Sequence, residues 1–286
     1  MTTAGGELAG RTALVTGASR GIGEAIARRF AQAGANVAVL GTSGEPRPNR
    51  LPGTVTAVAA GIREAGGNAL ALVADVRHDD QIESAVEFTM ETFGGLDIVV
   101  NNAAAFDLST TTSVTMKRFD LLHAVNSRGS FSLVRAALPY LEKSSAAHVL
   151  SISPPLTIEP RWLGAHLPYT LSKYAMSLAT IGFAAEFADR GIAANALWPR
   201  TAVGTEAIRM ILGEDVARSK SRSPLIMADA ALAIVTRDPR AYTGNLLLDE
   251  DVLRGAGVDD LSGYLMPGMT SADAELESSY FLAQGS

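Results

Sequence analysis

Short runs of apolar residues recur along this chain, separated by longer stretches in which apolar and polar positions mix. Residues 12–16 (Thr-Ala-Leu-Val-Thr) form one such run, and 36–40, 69–73, 96–100, 148–152, 192–197 and 245–248 continue the series. These runs are apolar almost throughout rather than at alternate positions. They therefore predict strands covered on both faces, as in a parallel sheet. The stretches between them are long enough for crossover helices, predicted from residue 22 to about 33, over 113–140 and over 167–190. Right-handed crossovers then give a doubly wound fold with its ligand at the carboxyl ends of the strands. The expectation is α/β: a single Rossmann-like doubly wound domain over residues 1–286, its seven-stranded, mainly parallel sheet covered by helices on both faces. Its core spans about residues 10–249, with an extension over 250–286. No repeat, linker or low-complexity tract divides it.

Two segments break the pattern. Residues 41–53 carry Pro46, Pro48 and Pro52 with Arg47 and Arg50, and proline cannot continue strand pairing, so a loop is predicted. The extension holds Gly255, Gly257, Gly263 and Gly268 among alternating apolar residues. Three roles are open to it: wrapping the domain, capping a site or meeting another subunit.

Composition narrows the function. With 47% hydrophobic and 19% charged residues, the chain has the make-up of a large buried core. No apolar stretch of about 18 residues predicts a membrane span, and the N-terminus lacks the basic-then-apolar pattern of a secretory signal. Cysteine is absent, which excludes disulfides, thiolate chemistry and cysteine-held metals. His78 and His123 lack ligand-like spacing, so no metal is assigned. A net charge of −6 argues against a nucleic-acid surface. A soluble, cytoplasmic protein acting on a small molecule is expected, without membrane or nucleic-acid partners.

Candidate chemistry sits in two motifs. Thr16-Gly17-Ala18-Ser19-Arg20-Gly21-Ile22-Gly23 directly follows the first strand and opens a helix. Glycines there let the backbone approach a pyrophosphate, whose charge meets the helix N-terminus. Far downstream, Tyr169 and Lys173 lie four residues apart on one helix face. A phenol titrates near pKa ~10, so a neighbouring cation is needed for Tyr169 to exchange protons at neutral pH, and Lys173 is placed to supply it.

These strings resemble the short-chain dehydrogenase/reductase family, and the resemblance runs from about Gly10 to Asp249. It implies that Gly17, Ser19, Arg20, Gly21, Ile22 and Gly23 form the cofactor turn. Asp75-Val76 matches the acid-bearing pair that meets the adenine. Asn101-Asn102-Ala103-Ala104 resembles the family's Asn-Asn-Ala-Gly, giving Asn101 and Ala103 to the cofactor together with Pro199 and Thr201 after the sixth strand. Asn126, Tyr169 and Lys173 match members of the catalytic tetrad. Tyr169 is then the general acid or base, Lys173 also holds the ribose hydroxyls, and Asn126 anchors a water that relays protons. Ile152-Ser153-Pro154-Pro155-Leu156, the segment around Tyr169 and Asn195 to Ala202 resemble more narrowly the hydroxysteroid dehydrogenase-like protein 2 group. Members often carry a sterol-carrier domain, which this chain is expected to lack. The group's name does not establish a steroid substrate.

Three points depart from the family pattern. Pro154 stands where the carbonyl-orienting serine is usual, leaving Ser153, 169 − 153 = 16 residues before the tyrosine, either as its shifted replacement or as an ordinary strand-end serine. No acid follows the second strand before Glu45; with Arg20 in the turn and Thr42 at the strand end, NADP(H) is favoured and NAD(H) is the alternative. Arg200 replaces a usual glycine, which would put a cation near the nicotinamide or an acidic substrate group. The segment 154–168 and the loop after Pro199 both follow strand carboxyl ends and are expected to line the pocket. The first is markedly apolar, which suits an apolar carbonyl or alcohol, and suits subunit packing equally. The helices over 113–140 and 167–190 resemble those that pair subunits in the family, implying a homodimer or homotetramer. The competing reading is an NADP-binding regulatory or scaffold protein with little catalysis.

Overall fold

A computed structural model describes residues 6–46, 51–270 and 275–281, so Arg47, Pro48 and Arg50 of the expected loop lie outside the described residues. Its strands are β1 (Thr12–Thr16), β2 (Asn36–Gly41), β3 (Asn68–Val73), β4 (Ile98–Asn101), β5 (His148–Ile152), β6 (Ala193–Trp198) and β7 (Leu246–Leu248). They form one sheet in the order β3-β2-β1-β4-β5-β6-β7, with every neighbouring pair parallel. Each predicted run is a strand, and the chain crosses from one half of the sheet to the other between β3 and β4. The carboxyl ends of β1 and β4 therefore face a crevice from which the two halves diverge.

Side chains alternate across the strands into two apolar layers. On one side Ala13, Val15, Val37 and Val39 pack with Ile26 and Phe30 of α1 (Gly21–Gln32), Val58 of α2 (Val55–Glu64) and Ile226 of a later, almost wholly apolar helix. On the other, Leu14, Ala38, Leu40 and Val99 pack with Ile82 of α3 (Asp79–Phe93) and with two further helices through Leu133 and Phe183. Burial on both faces is why these strands carry no polar alternation.

The helix expected over 113–140 is split. Thr115 caps α4 (Met116–Leu122) through its side chain, and a π-helical stretch, His123–Gly129, joins it to α5 (Ser130–Leu141). After β5 come α6 (Pro160–Ala165) and α7 (Leu167–Glu186); α7 stops short of the expected residue 190, where a 3₁₀ turn leads to left-handed Gly191. Past β6 lie α8 (Glu206–Leu212), α9 (Glu214–Ser219) and α10 (Leu225–Val235), and α11 (Asp249–Gly255) follows β7.

The extension then runs back over the carboxyl end of the sheet. Glu277 N donates to Lys220 O at 2.8 Å, Ala202 N to Glu277 O at 2.8 Å and Ser279 N to Arg200 O at 3.0 Å. Of the three roles open to it, its described residues take the first two: they wrap the domain and cap the site.

Candidate active site

The site begins at the end of β1. Gly17 has φ 63°, and a Cβ there would lie 2.8 Å from Ala103 Cα; one on Gly23 would lie 2.4 Å from Asn102 Nδ2 and 2.7 Å from Gly17 O. Only hydrogen fits at both positions. Thr16 Oγ1 fastens the turn to β4, donating to Val100 O at 3.0 Å and accepting from Asn102 N and Ala103 N, each at 3.0 Å. Asn102 Nδ2 donates to Thr16 O at 2.8 Å and Gly17 O at 3.2 Å. No side chain caps α1, whose first amides adjoin a cavity of about 410 Å3. Amides at a helix N-terminus together with a turn stripped of side chains fit a pyrophosphate-bearing cofactor.

The cavity runs from this turn to Tyr169 and Lys173. Gly17, Ser19, Arg20, Gly21, Ile22, Gly23, Thr42, Val76, Ala103 and Pro199 line it with them, so most of the predicted set is brought together. Asp75, Asn101, Asn126, Ser153 and Thr201 are not among the lining residues. Asp75 lies beside Val76 with its carboxylate gripped by Arg77 (Nε at 2.9 and 3.0 Å), which holds it below the usual carboxylate range. Asn101 is buried in β4, and it is Asn102 that reaches the wall. Thr201 pairs by its backbone with Ser278 of the extension, and its buried Oγ1 has no partner among the described residues.

The π-helical stretch sets Asn126, whose amide links two parts of the site. Its Oδ1 accepts from Ala105 N at 2.7 Å, and its Nδ2 donates to Ala105 O at 3.0 Å and to Ser172 Oγ at 2.9 Å. The Asn126 side chain thus ties the chain after β4 to α7. Ser153 is fully buried past the end of β5, and its Oγ has no partner among the described residues. Arg200 is a correction: its guanidinium bonds Asp251 at 2.8 Å and does not line the cavity, because α11 supplies acids beside it. Arg20 reaches the wall while holding the loop after β2, donating to the carbonyls of Leu51 (3.1 Å), Pro52 (2.7 Å) and Gly53 (3.1 Å).

Tyr169 and Lys173 are 3% and 2% exposed. Burial pushes the phenol well above its ordinary value, and the nearby Tyr280 phenol raises it further; burial pulls Lys173 down to about 7. Lys173 Nζ donates to Ile152 O at 2.7 Å and lies 5.4 Å from the Trp198 ring. The lysine that the spacing assigned to lowering the tyrosine is therefore, in this state, held by a backbone carbonyl. What closes the site is aromatic: Phe106 lies 4.6 Å from Tyr169 and Phe281 6.0 Å, between ring centroids.

The chain after Pro199 lines the cavity as expected, through Ala202, Val203 and on to Ile208 and Ile211 of α8, but no residue of 154–168 does. Phe106, Trp198 and Tyr280 line it without having been expected. The position of α8 after a strand's carboxyl end was the available signal for Ile208 and Ile211. Nothing in the sequence pattern marked Tyr280.

A doubly wound parallel sheet, a glycine turn at its switch point and a Tyr-Lys pair in the same cavity define a nucleotide-cofactor-binding oxidoreductase fold. The chain belongs to the short-chain dehydrogenase family, whose sequence model, described as short chain dehydrogenase, matches residues 11–211. It is 46% identical over 264 residues to hydroxysteroid dehydrogenase-like protein 2 of Xenopus tropicalis, covering 92% of this chain and 62% of that protein. The chain thus spans about three-fifths of that relative's length. A short chain dehydrogenase crystal structure from Mycobacterium thermoresistibile superimposes with a TM-score of 0.89 at 45% identity, over 96% of both chains. One from Burkholderia cenocepacia J2315, in complex with NADP, gives a TM-score of 0.72 at 30% identity, over 85% of this chain and 97% of that one.

Proposed function

We propose that this protein interconverts an alcohol and a carbonyl by hydride transfer, using NADP(H) in preference to NAD(H), with Tyr169 as the general acid and base. The observation that carries this is one cavity joining the glycine turn to Tyr169 and Lys173. The nicotinamide, when bound, supplies or receives the hydride. In reduction Tyr169 Oη gives its proton to the carbonyl oxygen, and in oxidation it takes the alcohol's proton. Lys173, released from Ile152 O, would hold ribose hydroxyls and favour the phenolate. Asn126 fixes Ala105 and Ser172, the residue before Lys173, and so positions both walls. Ser153, with its unpartnered hydroxyl, is one candidate to orient the carbonyl.

Support for NADP(H) comes from the end of β2, where Gly41 and Thr42 line the cavity with Arg20 and no acid, and from the NADP-bound relative. The aromatic and aliphatic wall suits an apolar substrate. No helix among the described residues is long and apolar enough to cross a membrane, and a cytoplasmic site of action fits this. Exposed Phe131 on α5 and Leu171, Leu178 and Ile181 on α7 fit a homodimer or homotetramer.

Titration with NADPH and NADH, followed by nicotinamide fluorescence, tests the cofactor. A screen of apolar ketones with the wild type and Tyr169→Phe tests the chemistry. Tighter NADPH binding is expected, with turnover lost by about 100-fold or more in the variant. Cofactor binding without turnover of any alcohol or carbonyl would favour a regulatory role, which Ser153 standing outside the cavity lining makes worth testing.

A further inference from the structure

We propose that the C-terminal strap, residues 275–281, completes the active site, with the Tyr280 phenol donating the hydrogen bond that orients the substrate's carbonyl oxygen alongside Tyr169. This rests on the dehydrogenase reading above and adds a residue to it. Carbonyl reduction gains when a second donor, fixed in advance, meets the oxygen on which negative charge develops. Ser153 is fully buried outside the lining, and Pro154 has no donor to offer.

Three other donors near Tyr169 are engaged, which leaves the hydroxyls of Tyr280 and its neighbour Ser279 on the wall. Lys173 Nζ is on Ile152 O, Asn102 Nδ2 is on Thr16 O and Gly17 O, and Trp198 Nε1 donates to Tyr280 O at 2.9 Å. Tyr280 lines the cavity with Tyr169, and its hydroxyl has no hydrogen-bond partner among the described residues. The two phenols share two ring neighbours. Phe106 lies 4.6 Å from Tyr169 and 6.5 Å from Tyr280, and Phe281 lies 6.0 Å from Tyr169 and 6.3 Å from Tyr280.

The strap is also anchored well enough to position a donor. Trp198 holds the Tyr280 carbonyl, Arg200 O accepts from Ser279 N at 3.0 Å, and Ser278 bridges Thr201. Phe281 has φ 69°, among the described residues a left-handed conformation otherwise confined to glycines. It is held there because its ring is buried against Tyr174 (5.5 Å), Trp198 (5.8 Å) and Trp162 (6.0 Å). In the step itself the carbonyl carbon receives hydride from the reduced nicotinamide and the oxygen receives the Tyr169 proton. Tyr280 keeps its own proton throughout.

The test uses the full chain. NADPH affinity is measured first, then turnover on cyclic, aromatic and long-chain ketones for the wild type, Tyr280→Phe and Ser279→Ala. Ser279 is included because it carries the neighbouring hydroxyl on the cavity wall. Tyr280→Phe is expected to lower kcat by about 10- to 100-fold while the NADPH Kd moves less than twofold. Wild-type kcat in Tyr280→Phe, or a fall in Ser279→Ala alone, overturns the proposal. Should the wild type bind NADPH yet reduce none of the panel, saturation-transfer NMR of cyclohexanone on the NADP-loaded protein decides. Contact weakened about tenfold in Tyr280→Phe supports the assignment, and equal or absent contact overturns it. Failure of the dehydrogenase reading looks different: neither nicotinamide binds, or turnover survives Tyr169→Phe.

Discussion

Lys173 is an amine placed where water scarcely reaches, with a single backbone carbonyl as its close oxygen partner. Its pKa of about 7 in the fold lies below the ordinary 10.5, so between those values the unfolded chain binds more protons than the folded one. Stability must then rise with pH across that window, because burying the charged amine costs most below about 7. Urea unfolding of the cofactor-free protein at pH 6.5 and pH 9 is expected to show this rise in the wild type. In Lys173→Met the rise should be smaller, and an equal rise would assign the pH dependence to other groups. The same residue shows the limit of spacing arguments. Four residues on a helix put Tyr169 and Lys173 on one face, yet the partner of Nζ was chosen by Ile152 O on another strand.

At the scale of elements, side chains from distant parts of the chain set the boundaries. The apolar run starting at residue 96 is regular strand only from Ile98. At Asp97 the backbone already pairs with Thr12 O (2.9 Å) and His148 N (2.8 Å), and its Oδ2 accepts from Thr12 N at 2.8 Å, fastening the start of β4 to β1. The predicted long helix over 113–140 is interrupted by a π-helical stretch that sets Asn126, which links Ala105 to α7. Neither has a local signal. Buried charge ties the last elements together. Arg222, just before α10, donates from Nε to Glu250 of α11 at 3.0 Å and from Nη1 to Leu261 O at 3.0 Å. Arg222 and Glu250 have side chains only 11% and 8% exposed, so removing Arg222 leaves the buried Glu250 with only the longer contacts to Arg254 (3.4 Å) and Arg200 (4.0 Å). Arg222→Met is expected to cost about 3 kcal/mol in urea unfolding, and Arg222→Met with Glu250→Leu to recover much of it. A double variant no better than the single would show that the ion pair is not what holds these elements together.

For the whole molecule, the apolar surface left over is as informative as the core. Phe131, Leu171, Leu178 and Ile181 are 53%, 44%, 59% and 41% exposed on two helices that pack against the same sheet face through Leu133 and Phe183. A patch of that kind marks a binding surface more often than bare solvent exposure. Sedimentation of the wild type is expected to give a dimer or tetramer, and Leu178→Glu to shift it toward monomer with unfolding otherwise unchanged. A monomeric wild type would remove the oligomer from the proposal.

The sequence alone determined the sheet, its seven strands and the glycine turn after β1, because these rest on local requirements. Strands covered on both faces must be apolar throughout, and a turn as tight as Gly17 and Gly23 make it admits no Cβ. The Tyr169–Lys173 pair was legible for the same reason, since helix geometry alone puts them on one face. The tertiary structure decided what closes the site. Arg200 faces Asp251, Arg20 holds the loop after β2, and Tyr280 and Phe281 return across more than eighty residues to cover Tyr169. Such pairings join residues that no period relates, and they are chosen by packing and by where a buried charge or amide finds a partner.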